Sequence, residues 1–192
     1  MQTANNPCLL FNFPMKIAMI DDDKDLLNIM SSMLLENEVS PYTSPENLFK
    51  NIDPININTN DFIHEDVHGA YGIDFKKIKE FVDLNSKKHG LIISDYRMLS
   101  INGIDLLHKY IDSDMAKVLL TGVFTSKDAV SAFNNKIIDY FLPKSQLSNL
   151  STFVNDIQIK FFRKKSKKIL KSINLDNLLT ARKPRPMDVV IA

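Results

Sequence analysis

The stretch KIAMIDDDKDLL, Lys16 to Leu27, joins a short apolar run directly to Asp21, Asp22, Asp23 and Asp25. Crowded carboxylates repel one another and resist desolvation, so this cluster at the end of a buried strand needs either a solvated loop or a cation. The apolar run predicts a buried strand, and the spacing of the apolar residues after the aspartates predicts a helix. The stretch therefore predicts a strand, an acidic loop and a helix, in that order.

The same alternation continues along the chain. Further apolar runs, separated by segments with helical spacing, are found at 39–43, 91–94 (LIIS), 117–121 (KVLLT) and 137–142 (IIDYFL). Ser44 and Pro45 provide a helix N-cap and a proline at the first helical position. Strands that alternate with helices predict an α/β protein with a five-stranded parallel sheet and helices on both faces.

The boundaries of the chain's regions follow from this alternation. Residues 1–14 form a leader without a pattern, and Met15, directly before the first strand, could be the native start. Residues 15–150 form the main domain, with an insertion at about 53–90 that is too long for a turn. Residues 151–192 form a helical extension and a linker. Within the insertion, the spacing of Phe75, Ile78, Phe81 and Val82 predicts an extra helix against the edge of the sheet.

Composition narrows the possible classes of protein. A chain of 192 residues with a formal net charge of +1 can bury one core and has no overall attraction to an anionic partner. A single cysteine, Cys8, excludes an internal disulfide framework and fits a reducing compartment. The sequence has no apolar run long enough to span a bilayer and no secretory signal. We therefore expect a cytoplasmic protein without membrane contact.

Polar residues occur where the predicted strands end. In an open parallel sheet, ligands bind beyond the carboxyl ends of the strands. The residues at those ends are Asp21, Asp22, Asp95, Thr121 and Lys144. Each alone is more commonly structural, as a helix cap or a solvated side chain. Together they have complementary chemistry, because carboxylates hold Mg²⁺ while a hydroxyl and an ammonium bind phosphoryl oxygens. The set predicts a phosphoryl-transfer site.

These residues resemble the receiver domain of two-component response regulators, the CheY-like family. IAMIDDD resembles the family's first strand and acidic pair, and VLLTG its strand that ends in a hydroxyl. LIISDYRMLSINGIDLL resembles the phosphoacceptor strand, with Asp95, Met98 and Gly103 at the family's spacing. DYFLPKS resembles the segment with the switch aromatic, Phe141, and the lysine, Lys144. The resemblance covers about residues 15–150.

The resemblance implies a flavodoxin-like, doubly wound sheet with strand order 2-1-3-4-5 and a site for Mg²⁺. Asp95 would accept a phosphoryl group from a sensor histidine kinase or a histidine phosphotransfer protein and become an aspartyl phosphate. Mg²⁺ would be held by Asp21, Asp22, Asp95 and the backbone carbonyl of Arg97. Thr121, Lys144 and the switch aromatic Phe141 would respond to the phosphoryl group. Such a domain is a regulator that assists its own phosphorylation and dephosphorylation, and not an enzyme.

The sequence departs from the family's pattern at two positions. Leu99 stands four residues after the phosphoacceptor, where the family usually has proline. Ser145 follows the lysine, also where proline is usual, and Pro143 precedes it. A cis Lys–Pro peptide is therefore impossible at this position.

Two other chemistries compete for parts of the sequence. Asp21 and Asp23 also resemble the D-x-D pair of haloacid-dehalogenase-like phosphatases, as nucleophile and acid/base, but that hypothesis leaves Asp95 without a role. The HEDVH stretch, residues 64–68, matches the helical H-E-x-x-H zinc pattern, although Gly69 and Gly72 favour an exposed loop.

The C-terminal residues predict a long helix. Leu147, Leu150, Val154, Ile157 and Phe161 recur at steps of three and four residues, which is compatible with packing on the sheet or in a homodimer. The basic stretch 160–171 is expected to be a solvated helix end, and contact with nucleic acid is the less favoured alternative. The sequence is compatible with a stand-alone regulator and with an effector domain beyond Ala192.

Overall fold

The computed structural model describes residues 15–65, 67, 71–122 and 126–180. Strands in this part of the chain are Lys16–Ile20 (β1), Val39–Tyr42 (β2), Ile63–Glu65 (β3), Tyr71–Ile73 (β4), His89–Asp95 (β5), Ala116–Thr121 (β6) and Tyr140–Pro143 (β7). The α-helices are Lys24–Met33 (α1), Pro45–Asn51 (α2), Phe75–Asn85 (α3), Gly103–His108 (α4), Ser126–Asn134 (α5) and Leu150–Thr180 (α6). Short 3₁₀ helices span Thr59–Phe62 and Lys144–Asn149. The predicted leader and the predicted C-terminal linker lie outside the described residues.

The main sheet has the predicted topology. Its order is β2-β1-β5-β6-β7, and each adjacent pair is parallel. Because β3 and β4 form a separate antiparallel hairpin inside the insertion, this order is the predicted 2-1-3-4-5. All residues of β5 and β6 are buried, which explains why the middle of each strand, residues 91–93 and 118–120, is a continuous apolar run. The flavodoxin-like fold class is confirmed.

Polar caps begin the helices that follow the strands. The Asp23 carboxylate accepts hydrogen bonds from the backbone N–H groups of Asp25 and Leu26, both at 3.0 Å, and so begins α1. Ser44 caps α2, with Pro45 at the first helical position. Each cap satisfies backbone donors that the first helical turn would leave unpaired. These caps set the direction in which the chain leaves the carboxyl ends of β1 and β2.

The insertion lies at the amino ends of the strands. The His89 N–H donates to the Asp53 carbonyl at 2.7 Å, and the Ile55 N–H donates to the His89 carbonyl at 2.8 Å, so this segment continues the pairing below β5. The predicted helix forms as α3, and its placement against the edge of the sheet stays a prediction. Phe81 of α3 packs edge-on against Phe62 of the 3₁₀ helix, with ring centroids 5.2 Å apart.

The extended helix α6 packs on the chain's own core. Its apolar stripe is buried at Leu150, Val154, Ile157 and Phe161. Of the two alternatives for this stripe, packing within the domain is therefore the one observed. A homodimer through the rest of the extended helix stays a prediction. The described helices include none with the length and apolar character required to cross a membrane.

His89 is a buried polar residue at the start of β5. Its Nδ1 accepts a hydrogen bond from the Asp53 N–H at 3.1 Å, so the neutral ring carries its proton on Nε2. Nε2 is buried and has no hydrogen-bond partner among the described residues. Burial, followed by the positive charge of Lys16, lowers the pKa of the His89 imidazole below its ordinary value. The folded protein therefore holds His89 neutral.

We predict that acidification destabilises the protein through His89. Because the folded-state pKa of His89 lies below 6.5, the unfolded chain binds a proton that the folded chain excludes. The free energy of unfolding should fall as the pH drops below about 6.5, by up to about 1.4 kcal/mol per pH unit. Urea denaturation at pH 7.5, 6.5 and 5.5 measures this slope. His89→Gln should flatten it, whereas a flattening of equal size in the exposed-site control His108→Gln would contradict the assignment.

Candidate functional site

Three carboxylates meet at the carboxyl ends of β1 and β5. The two strands are adjacent, with Ile20 in register with Ser94, so Asp21 and Asp95 follow side by side. Asp21 is 1% exposed, Asp95 is 4% exposed, and Asp22 is exposed. One ligand oxygen from each of these three residues lies within 4.8 Å of the other two. This acidic group has the donor chemistry that a hard divalent cation such as Mg²⁺ prefers, and it could hold one.

Lys144 reaches the acidic group from the end of β7, the strand at the edge of the sheet. It follows β7, and its Nζ lies 2.8 Å from Oδ2 of Asp21 and 2.9 Å from Oδ1 of Asp95. One ammonium therefore bridges the two buried carboxylates. Lys144 therefore lies beside the acidic group, as the resemblance implied, although Ser145 replaces the usual proline.

Backbone donors occupy the remaining carboxylate oxygens. The Asp23 N–H donates to Oδ1 of Asp21 at 2.9 Å, and the Arg97 N–H donates to Oδ2 of Asp95 at 2.9 Å. Each buried carboxylate is thus held by one ammonium and one amide. Sequence reasoning missed these amides because any residue type can supply a backbone N–H. The only indication in the sequence is that each acid ends a predicted strand, so the amide two residues later lies in the turn that follows.

The electrostatics of the site reflect a balance between burial and pairing. Burial raises the pKa of the Asp21 carboxyl above its ordinary value, although the hydrogen bond from Lys144 opposes the rise. For Lys144, burial lowers the pKa of the ammonium, but the two carboxylates together outweigh it and raise the pKa. Lys144 is therefore held as a cation, and the carboxylates depend on it for charge compensation.

Two glycines lie close to the site, and at one of them, Gly103, a larger residue would collide with the backbone. A Cβ at Gly103 would lie 2.1 Å from the Asp95 carbonyl oxygen, which is backbone and cannot move aside cheaply. Helix α4 can approach the end of β5 only because position 103 is glycine. A Cβ at Gly122 would meet Cδ of Lys144 at 3.7 Å, an ordinary contact distance.

The remaining predicted residues occupy the adjoining strands. Thr121 is the buried last residue of β6, the strand next to β5. Phe141 lies on β7 with 39% of its surface exposed, and its ring packs edge-on against Phe133 of α5 at a centroid distance of 6.0 Å. The roles assigned to Thr121, Phe141 and the Arg97 carbonyl stay predictions.

The zinc pattern does not adopt the structure that zinc binding by H-E-x-x-H requires. His64 and Glu65 belong to the short strand β3, and not to a helix that would place both histidines on one face. Asp66 and His68 lie outside the described residues. Among the described residues, the acidic group that could hold a metal is that of Asp21, Asp22 and Asp95.

Comparison with known proteins gives structural matches only. No protein-family model matches the sequence, and no curated protein sequence matches it. The response regulator LqsR of Legionella pneumophila is similar with a TM-score of 0.59 and 20% identity, over 84% of this chain and 49% of that one. The BeF₃-activated receiver domain of DrrB is similar with a TM-score of 0.51 and 15% identity, over 75% of this chain and 97% of that one.

The chain has the receiver-domain fold of response regulators. It spans about half of the LqsR chain, with 49% of that chain covered. A protein from Rhodopirellula baltica named as adenylate cyclase is also similar, with a TM-score of 0.54 and 19% identity over 89% of this chain and 100% of that one. Since proteins with different names share the receiver fold, the functional argument for this chain must rest on its site residues.

We predict that Mg²⁺ compensates for the loss of Lys144. Lys144→Met leaves two buried carboxylates without their shared ammonium, and breaking a buried pair costs roughly 3–5 kcal/mol. Because 27% of the Lys144 side chain is exposed, we expect a loss of about 1–3 kcal/mol in the free energy of unfolding. Mg²⁺ should raise the melting temperature of this variant more than that of the wild type, as measured by differential scanning calorimetry.

The control for this prediction is Lys87→Met, which removes an exposed lysine after α3. It should leave both the stability and the response to Mg²⁺ unchanged. Equal responses to Mg²⁺ in the wild type and Lys144→Met would show that the ammonium and the metal do not share the acidic group.

Proposed function

We propose that this chain is a response regulator receiver domain that accepts a phosphoryl group on Asp95 in the presence of Mg²⁺. The observation that supports the proposal is the position of the Asp95 carboxylate, which is buried and held between the Lys144 ammonium and the Arg97 amide, beside Asp21 and Asp22. A carboxylate in this position can act as a nucleophile towards phosphorus while its surroundings neutralise the charge that develops.

The transfer needs positioning and charge neutralisation. A carboxylate oxygen of Asp95 forms a bond to phosphorus as the P–N bond of a donor phosphohistidine breaks, and the donor imidazole leaves with the bonding electrons. The Arg97 N–H, at 2.9 Å from Oδ2, keeps the nucleophile oriented. Asp21, Asp22, Asp95 and the Arg97 carbonyl would hold Mg²⁺. When bound, the ion neutralises charge on the phosphoryl oxygens.

Lys144 is the residue in this site that can respond to the new group. Its Nζ lies 2.9 Å from Oδ1 of Asp95, so a phosphoryl group on that carboxylate would bring oxygens within reach of the same ammonium. Thr121, at the end of the adjacent strand, is assigned a second hydrogen bond to those oxygens. Hydrolysis of the acyl phosphate by water would return Asp95 and reset the domain, so under the proposal the chain acts as a regulator and not as a dedicated enzyme.

The response would leave the site through β7 and α5. Val130 and Phe133 on α5 and Phe141 on β7 are exposed apolar side chains, and the rings of the last two are in contact. A turn of Phe141 towards the space that Thr121 vacates would change this surface, which is the output under the proposal. The proposed donor is a sensor histidine kinase or a histidine phosphotransfer protein, and the proposed location is the cytoplasm.

The phosphatase alternative is less well supported by the geometry. It needs Asp23 as an acid/base directed towards substrate, whereas the Asp23 carboxylate accepts two backbone hydrogen bonds at the start of α1. It also gives no role to Asp95, which shares Lys144 with Asp21. The receiver proposal gives a role to Asp21, Asp95 and Lys144.

We predict that Asp95→Asn abolishes phosphorylation. Incubation of the wild type with acetyl phosphate and Mg²⁺ should add the mass of one phosphoryl group, detected by intact-mass spectrometry at low temperature. The side-chain amide that replaces the carboxylate in the variant is not a competent nucleophile, so the adduct should be lost. Chelation of Mg²⁺ should prevent the adduct in the wild type.

The matched control is Asp23→Asn, because asparagine is as good an N-cap as aspartate and should preserve α1. This variant should be phosphorylated like the wild type. An adduct that persists on Asp95→Asn and is lost on Asp21→Asn, the nucleophile of the phosphatase alternative, would refute the receiver assignment and support the phosphatase. Trifluoroberyllate, named for the activated DrrB receiver, is a second probe for this site.

A further inference from the structure

A cleft lies at the amino end of β6, at the opposite end of the strands from the acidic group. It has a volume of about 360 Å³ and is bordered by the segment before β6, the turn between α5 and β7, and one face of α6. Five lysines and two aspartates line it, which leaves three positive charges without an anionic partner in the lining. The proposed receiver function uses none of these residues.

The floor of the cleft carries two buried lysines. Lys117 is 5% exposed, and its Nζ donates to the Met115 carbonyl at 3.2 Å and lies 3.4 Å from Asp139. Lys165 is 9% exposed and is ion-paired with Asp114. Charged side chains this buried are uncommon unless they are paired, and both aspartates are consumed by this pairing. The floor therefore contributes little net charge, because each buried lysine is paired with one aspartate.

The rim carries the excess charge. Lys136, Lys160 and Lys164 border the cleft, and in the described part of the chain none of them forms an ion pair with a carboxylate. Lys136 also has a φ of 58°, in the left-handed region that lysine seldom adopts. Like charges around one concave surface repel each other and concentrate an attractive potential for anions. An anion bound here would relieve that repulsion.

Aromatic rings supply part of the cleft wall. Tyr140 lies below the Lys160 ammonium, which is 5.9 Å from its ring centroid, and Phe161 is likewise a lining residue. Tyr140 is fixed by an edge-on contact with Phe153 at a centroid distance of 6.2 Å. The wall therefore combines aromatic rings with nearby cations. This combination suits a ligand with an anionic group and an apolar or planar body.

We propose that this cleft binds a small phosphorylated molecule of mononucleotide size. The volume lies in the lower range of small-molecule pockets, which are typically about 300–1,000 Å³. Phosphate is favoured over a single carboxylate because three unpaired lysines can neutralise its greater charge. The concave shape favours a small molecule over nucleic acid, which binds to extended basic surfaces. The ligand would be distinct from the phosphodonor, because the cleft and Asp95 lie at opposite ends of the strands.

The test measures binding of AMP and pyrophosphate by isothermal titration calorimetry, with adenosine as the uncharged comparison. Either phosphate compound should bind saturably with a dissociation constant below about 1 mM, more weakly as ionic strength rises, while adenosine should not bind. In Lys136→Gln/Lys164→Gln, affinity should fall at least about tenfold, since two charge-assisted hydrogen bonds are removed. Asp95→Asn should bind as the wild type does.

The matched control is Lys79→Gln/Lys87→Gln, which removes the same charge from exposed positions on and after α3. It should retain wild-type affinity, and circular dichroism should show that both double variants are folded. Absence of binding by both phosphate compounds, or an equal loss in the two double variants, would overturn the proposal. Tighter binding of a short oligonucleotide through Lys136 and Lys164 would overturn it in favour of a nucleic-acid surface.

Discussion

The acidic group of Asp21, Asp22 and Asp95 depends on the ion pairs that Lys144 forms with Asp21 and Asp95. Two almost fully buried carboxylates with oxygens within 4.8 Å of a third acid would repel each other and take up protons without a cation between them. The ammonium, 2.8 and 2.9 Å from the two acids, offsets part of that cost. Because Lys144 pairs with Asp95 directly, a change in the charge on Asp95 would change the partners of the ammonium. A regulator controlled by phosphorylation requires such a response.

The sheet makes this arrangement possible and separates it from the rest of the molecule. Buried β5 and β6 hold Asp95 and Thr121 at the carboxyl end of the sheet. The insertion and the cleft, to which α6 contributes Lys160, Phe161, Lys164 and Lys165, lie at the opposite end. Asp114 connects the insertion to α6 at this opposite end. Its carboxylate accepts a hydrogen bond from the Ile57 N–H at 2.6 Å and pairs with Lys165. One end is thus acidic and suited to a cation, and the other is basic and suited to an anion.

The apolar runs predicted an α/β parallel sheet and the polar residues that meet at its carboxyl end, because buried parallel strands are apolar and their carboxyl ends lie together. The strand order was implied by the resemblance to receiver domains. The amides of Asp23 and Arg97 could not be predicted, since backbone donors leave no trace in residue types. The insertion was recognised, but its position depends on hydrogen bonds between Asp53, Ile55 and His89, which are distant in the sequence. The burial of Lys165 in a stretch expected to be solvated depends in the same way on Asp114, which lies 51 residues away.

The most direct test of the central claim is a crystal structure of the protein with Mg²⁺ and trifluoroberyllate. We predict beryllium bonded to a carboxylate oxygen of Asp95, the metal on Asp21 and Asp22, and the Lys144 ammonium in contact with a fluorine atom. An adduct on Asp21 or Asp23, or crystals soaked to saturation in which Asp95 carries no adduct and Lys144 keeps both carboxylates, would contradict it.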